Sequence, residues 1–397
     1  MTTATMSATD ARDEPGIERT AVWLLLAFAA SLQVSIAAAN ILLALTLVCW
    51  LARLVHDRVR PSAPPFFLPL AAYAALTLVS VAFSRDPLTS LVDSKQLVLF
   101  MIVPAVYDIM RGRRAASVVD VVVTIGAASA VFGIIQYGML HYDNLGRRPE
   151  GAMSHYMTYS GLLMLVICAA VARLVFGSRE RMWPALVMPA LVVALALTLG
   201  RSAWVGASIA VGLVLVLKDF RLTAVLPVVI ALVIALAPDT VTDRIASMFD
   251  VKDPTTQDRL AMMEIGAEMI KDYPLTGVGP NMVPTLYSQY RPDYAVNSIN
   301  PHLHNVPLQI AAERGLPAVA VWFWFIATLT LGLVRLFRKG GDRVLAATGL
   351  ASVAAMLGAG LFEYNFGDSE FLMLFLVLVT LPFAAARQPD APSTARP

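Results

Sequence analysis

Two histidines stand two residues apart in the stretch NPHLHNVPLQIAAERGLP, which runs from Asn300 to Pro317. The chain has only five histidines, and His302 and His304 lie where its one long polar segment meets the next apolar run. An imidazole can take up a proton near pH 7 without a shifted pKa, which suits a general base. The His-x-His spacing could instead hold a metal ion, with His155 or Glu313 as a third ligand. Because the spacing fixes no third ligand, we predict no metal site.

The residues after His304 predict a short helix, VPLQIAAER. Asn305 can cap its start, Pro307 fits the first turn and Gly315 fits the C-cap. His304 would then precede the positive end of a helix, which disfavours imidazolium and keeps a neutral base available. A purely structural role for the histidines remains an alternative.

Arg201 lies in LTLGRSAWVG, at the tip of a tight turn between two apolar runs. A guanidinium at a membrane edge can bind a phosphate through two parallel hydrogen bonds. The alternative is an arginine that only anchors a helix end. No acidic residue is near Arg201 in the sequence, which favours an anion-binding role.

Arg259 is predicted to open an amphipathic helix, RLAMMEIGAEMIKDYP, after a capping box formed by Thr255 and Asp258. A helix N-terminus carries partial positive charge, so an arginine there strengthens an anion site. The alternative is a solvated residue paired with Asp258 or Glu264. The apolar face of this helix is predicted to contain Leu260, Met263, Ala267 and Ile270.

A second basic group, formed by Arg147, Arg148 and His155, lies in GRRPEGAMSHYMTYSG. It could steer an anionic substrate, or it could simply be solvated. The Asp368 and Glu370 carboxylates are interpreted as solvated loop charges. The sequence contains no P-loop, dinucleotide fingerprint or G-x-S-x-G motif.

The composition of the chain indicates what kind of protein carries these residues. The chain is 58% hydrophobic and 15% charged, with a mean hydropathy of +0.68, whereas a soluble domain carries roughly a quarter charged residues. Apolar runs of about 20 residues recur, and each is long enough to cross a bilayer. The two cysteines, Cys49 and Cys168, lie inside such runs and predict no disulfide framework. A net charge of +2 gives no reason to expect nucleic acid as a partner.

We therefore predict an all-α polytopic integral membrane protein with about twelve transmembrane helices and one large helical periplasmic loop. Loops rich in lysine and arginine alternate with poorer ones, and under the positive-inside rule both termini are cytoplasmic. The predicted organisation is a disordered cytoplasmic tail (1–20), nine membrane helices (21–237), a periplasmic catalytic loop (238–315), three membrane helices (316–386) and a cytoplasmic tail (387–397).

Four stretches together resemble the bacterial O-antigen ligase and polymerase superfamily: GAMSHYMTYSG, LTLGRSAWVG, RLAMMEIGAEMIKDYPLTGVGPNM and PHLHNVPLQIAAERGLP. The sharpest family motif is His, then Asn, Ser or Gln, nine residues, and Gly-x-x-Gly. Here it reads His304, Asn305, nine residues and Gly315, with Ala318 in place of the last glycine.

The resemblance implies a metal-independent, inverting glycosyltransferase without a cofactor, in the bacterial inner membrane. It would move a glycan from undecaprenyl diphosphate to an acceptor hydroxyl, such as one of the lipid A–core, at the periplasmic face. A polysaccharide polymerase of the same superfamily, a glycan-to-protein ligase and a lipid-linked glycan flippase are the alternatives.

The resemblance also implies residue roles. Arg201 and Arg259 would neutralise the departing diphosphate, and His304 would take the acceptor proton. Asn305 would position the helix that carries the base. The residues expected to bind substrate are His302, Asn305, His155, Arg147, Arg148 and Arg314.

Overall fold

A computed structural model describes residues 16–178, 181–249 and 253–387 of the chain. All regular elements in these ranges are helices, which confirms the all-α prediction. The α-helices are α1 (Gly16–Ser31), α2 (Ile36–Asp57), α3 (Phe67–Ala82), α4 (Pro87–Asp93), α5 (Ile102–Ile109), α6 (Arg114–Met139), α7 (Tyr156–Phe176), α8 (Met182–Leu197), α9 (Arg201–Lys218), α10 (Val225–Leu236), α11 (Asp239–Ala246), α12 (Pro254–Asp272), α13 (Val283–Tyr290), α14 (Val306–Arg338), α15 (Arg343–Gly360) and α16 (Ser369–Ala385). Short 3-10 helices cover Ser94–Met101, Phe220–Ala224, Ser247–Phe249 and Asn365–Gly367.

Seven helical segments in the described ranges are long and apolar enough to cross a membrane: α2, Pro87–Ile109, α6, α7, α9, α14 and α15. Shorter apolar helices lie at α3, α8, Phe220–Leu236 and α16. This is the architecture of a polytopic membrane protein, while the count of twelve stays a prediction. Residues 16–20 belong to α1 rather than to a tail, and most of both predicted tails lies outside the described residues.

The centre of the bundle is formed by α7, α15 and α16, which are buried along most of their length. Small residues let neighbouring helices approach closely. A Cβ atom on Gly206 of α9 would lie 2.7 Å from the Ala355 carbonyl oxygen of α15. By contrast, α10 has no buried residue, as expected for a helix at the edge of the bundle.

The helix that follows His304 has the predicted cap and the predicted break. The Asn305 side chain accepts a hydrogen bond from Leu308 N at 2.9 Å. Gly315 leaves the helical conformation at φ 82° and ψ 167°, and the chain then continues as the second part of α14. A Cβ atom on Gly315 would lie 2.2 Å from the Leu275 carbonyl oxygen, so this crossing requires glycine.

A loop of the polar interval pairs with the end of the first part of α14. Val278 N donates to Ala312 O and Gly279 N donates to Glu313 O, both at 2.9 Å. Leu316 N in turn donates to Pro274 O at 2.8 Å. These bonds satisfy carbonyl groups that a helix end leaves free, and they join the polar interval to a membrane helix.

The predicted start of α12 is wrong. Asp253, not Thr255, caps the helix, accepting from Thr255 N at 3.0 Å and from Thr256 N at 3.2 Å. Pro254 occupies the first helical position, where its fixed φ is favourable. The Asp258 carboxylate instead accepts from Asn297 Nδ2 at 2.7 Å. Arg259 therefore lies in the second turn rather than at the helix start.

The predicted apolar face of α12 is also wrong. Leu260 and Met263 are 48% and 58% exposed. The buried apolar face is one position away and combines two small residues with three larger ones: Ala261, Gly266, Met262, Ile265 and Met269. A Cβ atom on Gly266 would lie 2.7 Å from Leu308 Cγ, so a close approach to α14, rather than side-chain size, determines the face.

Candidate functional site

One cavity of about 400 Å³ collects most of the residues predicted to do chemistry. Arg201 at the start of α9, Arg259 in α12 and His304 before α14 all line it. Arg148, His155 and His302 line it as well. Helices and loops that are far apart in the sequence therefore meet at one basic, imidazole-bearing site.

The His304 segment is held by hydrogen bonds on both sides. Leu303 N donates to the buried Gln309 Oε1 at 2.6 Å, and the Leu303 side chain packs into the apolar cluster beneath α12. His302 and His304, on either side of Leu303, face the cavity. His304 itself has φ 49°, in the left-handed region that non-glycine residues rarely adopt.

A carboxylate that the sequence reasoning missed lies beside these histidines. Glu363, between α15 and α16, places Oε2 2.9 Å from His304 Nδ1 and Oε1 3.5 Å from His302 Nε2. When Nδ1 carries the proton and donates to Glu363, the lone pair of Nε2 is available to accept another proton. The arrangement is thus an imidazole base oriented by a carboxylate.

The electrostatics of this group favour a neutral His302 beside an anionic Glu363. Burial opposes ionisation of Glu363, but His304 and His302 more than offset it and lower the pKa of Glu363 to about 2. Burial lowers the pKa of His302 to about 4, against the attraction of Glu363. At neutral pH Glu363 is therefore ionised and His302 is neutral.

His302, His304 and Glu363 are also arranged so that they could bind a metal ion. His302, His304 and Glu363 offer ligand atoms within 4.8 Å of one another. The third ligands considered from sequence are not in this group. His155 caps α7 by accepting from Met157 N, and Glu313 pairs with Arg314 at 2.8 Å.

Arg201 has the acidic neighbour that the sequence did not suggest. It is 5% exposed, and its NH2 lies 3.5 Å from Asp253 Oδ1, while NH1 donates to Ser247 O and Oγ at 3.2 Å. Burial opposes ionisation of Asp253, but the charge of Arg201 lowers the pKa of Asp253 below its usual value. Arg201 therefore joins α9 to the segments before and at the start of α12.

The other cavity arginines have mainly aromatic neighbours. The Arg148 guanidinium lies 4.1 Å from the Tyr156 ring centre, and that of Arg259 lies 5.9 Å from the Phe362 ring centre. Burial and then the charge of Arg201 lower the pKa of Arg259. A fourth arginine, Arg244 of α11, also lines the cavity, and sequence reasoning did not select it.

Three predicted substrate-binding residues do not line this cavity. The Arg147 guanidinium lies 4.3 Å from the Tyr142 ring centre, and Asn305 donates to Leu361 O at 3.1 Å besides capping α14. Arg314 is buried, pairs with Glu313 and lines a separate small cavity with Tyr364. The predicted contact of Arg314 with substrate in the main cavity therefore does not match its position.

The interpretation of Asp368 and Glu370 as solvated is wrong for Asp368. Its carboxylate caps α16 by accepting from Phe371 N at 3.0 Å and accepts from Thr158 Oγ1 at 2.5 Å. Burial is the main cause of the raised pKa of Asp368. Its role in the structure is to join α7 to α16.

The fold and the site define a class, an integral membrane protein with a cationic cavity and an oriented imidazole base. Residues 185–323 match the family model described as O-Antigen ligase. The matched segment contains Arg201, Arg244, Arg259 and His304. The match confirms the resemblance to the O-antigen ligase and polymerase superfamily of membrane glycosyltransferase-type enzymes. A comparison with curated proteins gave no match.

Proposed function

We propose that this protein is an O-antigen ligase-type glycosyltransferase. It transfers a glycan from undecaprenyl diphosphate to an acceptor hydroxyl, such as one on lipid A–core, at the periplasmic face of the inner membrane. The observation that carries the proposal is the meeting of Arg201, Arg259 and the His304–Glu363 pair at one cavity. Arg201, Arg259 and His304 lie within residues 185–323, which match the family model.

The proposed reaction forms a bond from the acceptor oxygen to the anomeric carbon and breaks the bond from that carbon to the phosphate oxygen. His304 Nε2 takes the acceptor proton, and the ionised Glu363 stabilises the imidazolium that results. The departing diphosphate keeps the electron pair. Attack from the side opposite the leaving group inverts the anomeric centre.

Arg201 and Arg259 supply the positive charge that the leaving group needs. Donors already fixed around developing negative charge are worth more in a secluded cavity than in water, since they need no reorganisation. Asp253 and Ser247 fix the Arg201 guanidinium in place before substrate binds. In this proposal the guanidinium groups take the part that a metal ion plays in other glycosyltransferases.

The proposed topology has twelve membrane spans and cytoplasmic termini. The seven long helical segments, the four shorter apolar ones and the α1 helix supply enough elements for it. Arginines cluster in alternate connections, for example Arg58 and Arg60 after α2 and Arg111 and Arg113 before α6, which supports a cytoplasmic side for those loops. The cavity then opens on the other side.

A polymerase of the same superfamily is the nearest alternative, because the family match and the donor chemistry fit both. A glycan-to-protein ligase shares the same donor chemistry. A flippase is disfavoured by the cavity lining, which comes from helix ends and connecting segments rather than from broken helices within the bundle.

The test is deletion of the coding sequence followed by gel analysis of extracted lipopolysaccharide and lipid-linked glycan. We expect loss of all glycan-capped core while the lipid-linked polymer remains. Capping by single repeat units would instead indicate a polymerase. Unchanged lipopolysaccharide with loss of a secreted polymer would exclude the ligase and indicate an exopolysaccharide system.

A further inference from the structure

We propose that Arg244 of α11 binds the diphosphate of the lipid-linked donor, as a third phosphate-binding residue beside Arg201 and Arg259. The proposal rests on the proposed function. It adds a donor contact from within the matched residues 185–323 but outside the four stretches in which the family resemblance was found.

Arg244 is a half-buried cation that forms no ion pair with the described residues. Its Nε atom is buried and has no hydrogen-bond acceptor among the described residues. Arg201 and Arg314 also have a buried Nε without an acceptor, but their guanidinium groups do have carboxylate partners, Asp253 at 3.5 Å and Glu313 at 2.8 Å. A buried donor without an acceptor is unfavourable unless a ligand supplies one.

The positive charges around Arg244 favour binding of an anion. Burial, followed by the charges of Arg201 and Arg148, lowers the pKa of Arg244 to about 10, so it is still a cation at neutral pH. The nearby carboxylates are already engaged, Asp253 by Arg201 and Asp258 by Asn297. Like charges gathered at one cavity repel each other, and a diphosphate relieves that repulsion.

The position of α11 is fixed by an apolar contact and by a side-chain hydrogen bond. Val241 is buried against Leu197 and Leu199, and Thr240 Oγ1 lies 3.0 Å from Tyr137 Oη. Arg201 holds the following turn through Ser247. These contacts hold Arg244 in the wall of the cavity that contains the predicted base, so the donor contact is built before the ligand arrives.

The first experiment measures binding of undecaprenyl diphosphate to the detergent-solubilised full chain, with no acceptor and no transfer required. We expect Arg244→Ala to weaken binding about ten- to a hundred-fold, the loss typical of a hydrogen bond to a charged group. Arg244→Lys should recover part of the affinity because it keeps the charge. Arg244→Gln provides the same comparison if the alanine variant is unstable.

Two control variants separate this role from a general effect. Asp243→Ala changes an exposed residue of the same helix, and Arg85→Ala removes an exposed cation that contacts Tyr273 outside the cavity. Both should bind the probe like the unmodified protein. Equal binding by folded Arg244→Ala, or by folded Arg244→Gln, would overturn the proposal.

The second experiment measures transfer with varied donor concentration. We expect Arg244→Ala to raise the KM for the donor more than it lowers kcat, and to leave the KM for the acceptor unchanged. If the unmodified protein binds undecaprenyl diphosphate but transfers no glycan, the proposed function fails while the Arg244 contact stands. If transfer occurs and the donor KM of Arg244→Ala is unchanged, the Arg244 contact fails alone.

Discussion

His304 Nδ1 lies 2.9 Å from Glu363 Oε2, although the two residues are 59 positions apart and belong to different helix connections. The carboxylate fixes which imidazole nitrogen carries the proton. It also compensates the charge that the imidazole gains when it acts as a base. The pair, rather than the histidine alone, is therefore the unit that performs proton transfer in the proposed reaction.

Glu363→Gln tests this orientation. The amide keeps the size of the side chain but loses the charge, so we expect kcat to fall about 10- to 100-fold with little change in either KM. The pH dependence of kcat should also shift, because the imidazole loses its anionic neighbour. An unchanged kcat and an unchanged pH profile would show that Glu363 has only a structural role.

His304→Ala removes the proposed base. We expect transfer to fall roughly a hundred- to ten-thousand-fold at unchanged protein level, the usual contribution of a general base. His56→Ala is the matched control, since His56 is exposed near the end of α2, outside the cavity lining. Near-normal transfer by His304→Ala would rule out its catalytic role.

Arg259→Ala removes a cation from the proposed leaving-group site without breaking an ion pair of the described chain. We expect kcat to fall about 10²- to 10³-fold, as when one preorganised donor is lost. Arg259→Lys should recover part of this, while Arg85→Ala should behave like the unmodified protein. Full activity of the alanine variant would place the diphosphate elsewhere.

Chelation tests whether His302, His304 and Glu363 act as a general base with its carboxylate or as a metal-binding site. We expect transfer to be unaffected by EDTA, because the proposed charge neutralisation comes from arginines. Loss of activity on chelation, with recovery on adding one divalent ion, would contradict this expectation. The ion would then be bound by the group whose ligand atoms lie within 4.8 Å of one another.

The half-buried, neutral His302 should make stability depend on pH. Its pKa in the folded protein is about 4, below the ordinary 6.5, so the unfolded chain binds a proton first as the pH falls. We expect stability to decrease by about 1 to 2 kcal/mol between roughly pH 7.5 and pH 5 from this residue. Glu363 adds a further loss only below pH 4.5, toward its pKa of about 2.

Thermal melting of the protein and of His302→Gln at several pH values measures this contribution. The variant should lose much of the pH dependence above pH 5, because the proton-binding difference is gone. Identical pH slopes for the two proteins would mean that His302 is not a half-buried, neutral side chain in solution.

Local features of the site were predictable because local chemistry determines them. The Asn305 cap and the break at Gly315 follow from side-chain hydrogen bonding and from a backbone conformation that favours glycine. Arg201, Arg259 and His304 could be selected because each lies in a stretch that resembles the family.

Features that depend on tertiary contacts were not predictable. Glu363 is one acid among several near the end of the chain, and only the packing of α14, α15 and α16 brings it to His304. The face of α12 was misassigned because close contact at Gly266 outweighs the size of Leu260 and Met263. Asp253 and Arg244 have no distinctive sequence context, so their neighbours alone reveal them.

The backbone bonds between the loop at 278–279 and the first part of α14 fix the polar interval to the membrane bundle. The proposed base, His304, directly precedes the helix that continues beyond Gly315 into the bundle, so its position is tied to the membrane helices and not to a separable domain. A water-soluble fragment covering 238–315 would lack the membrane helices that fix the position of His304. Under the proposed function, the connections around the cavity could then change to fit another acceptor while His304 keeps its height relative to the bundle.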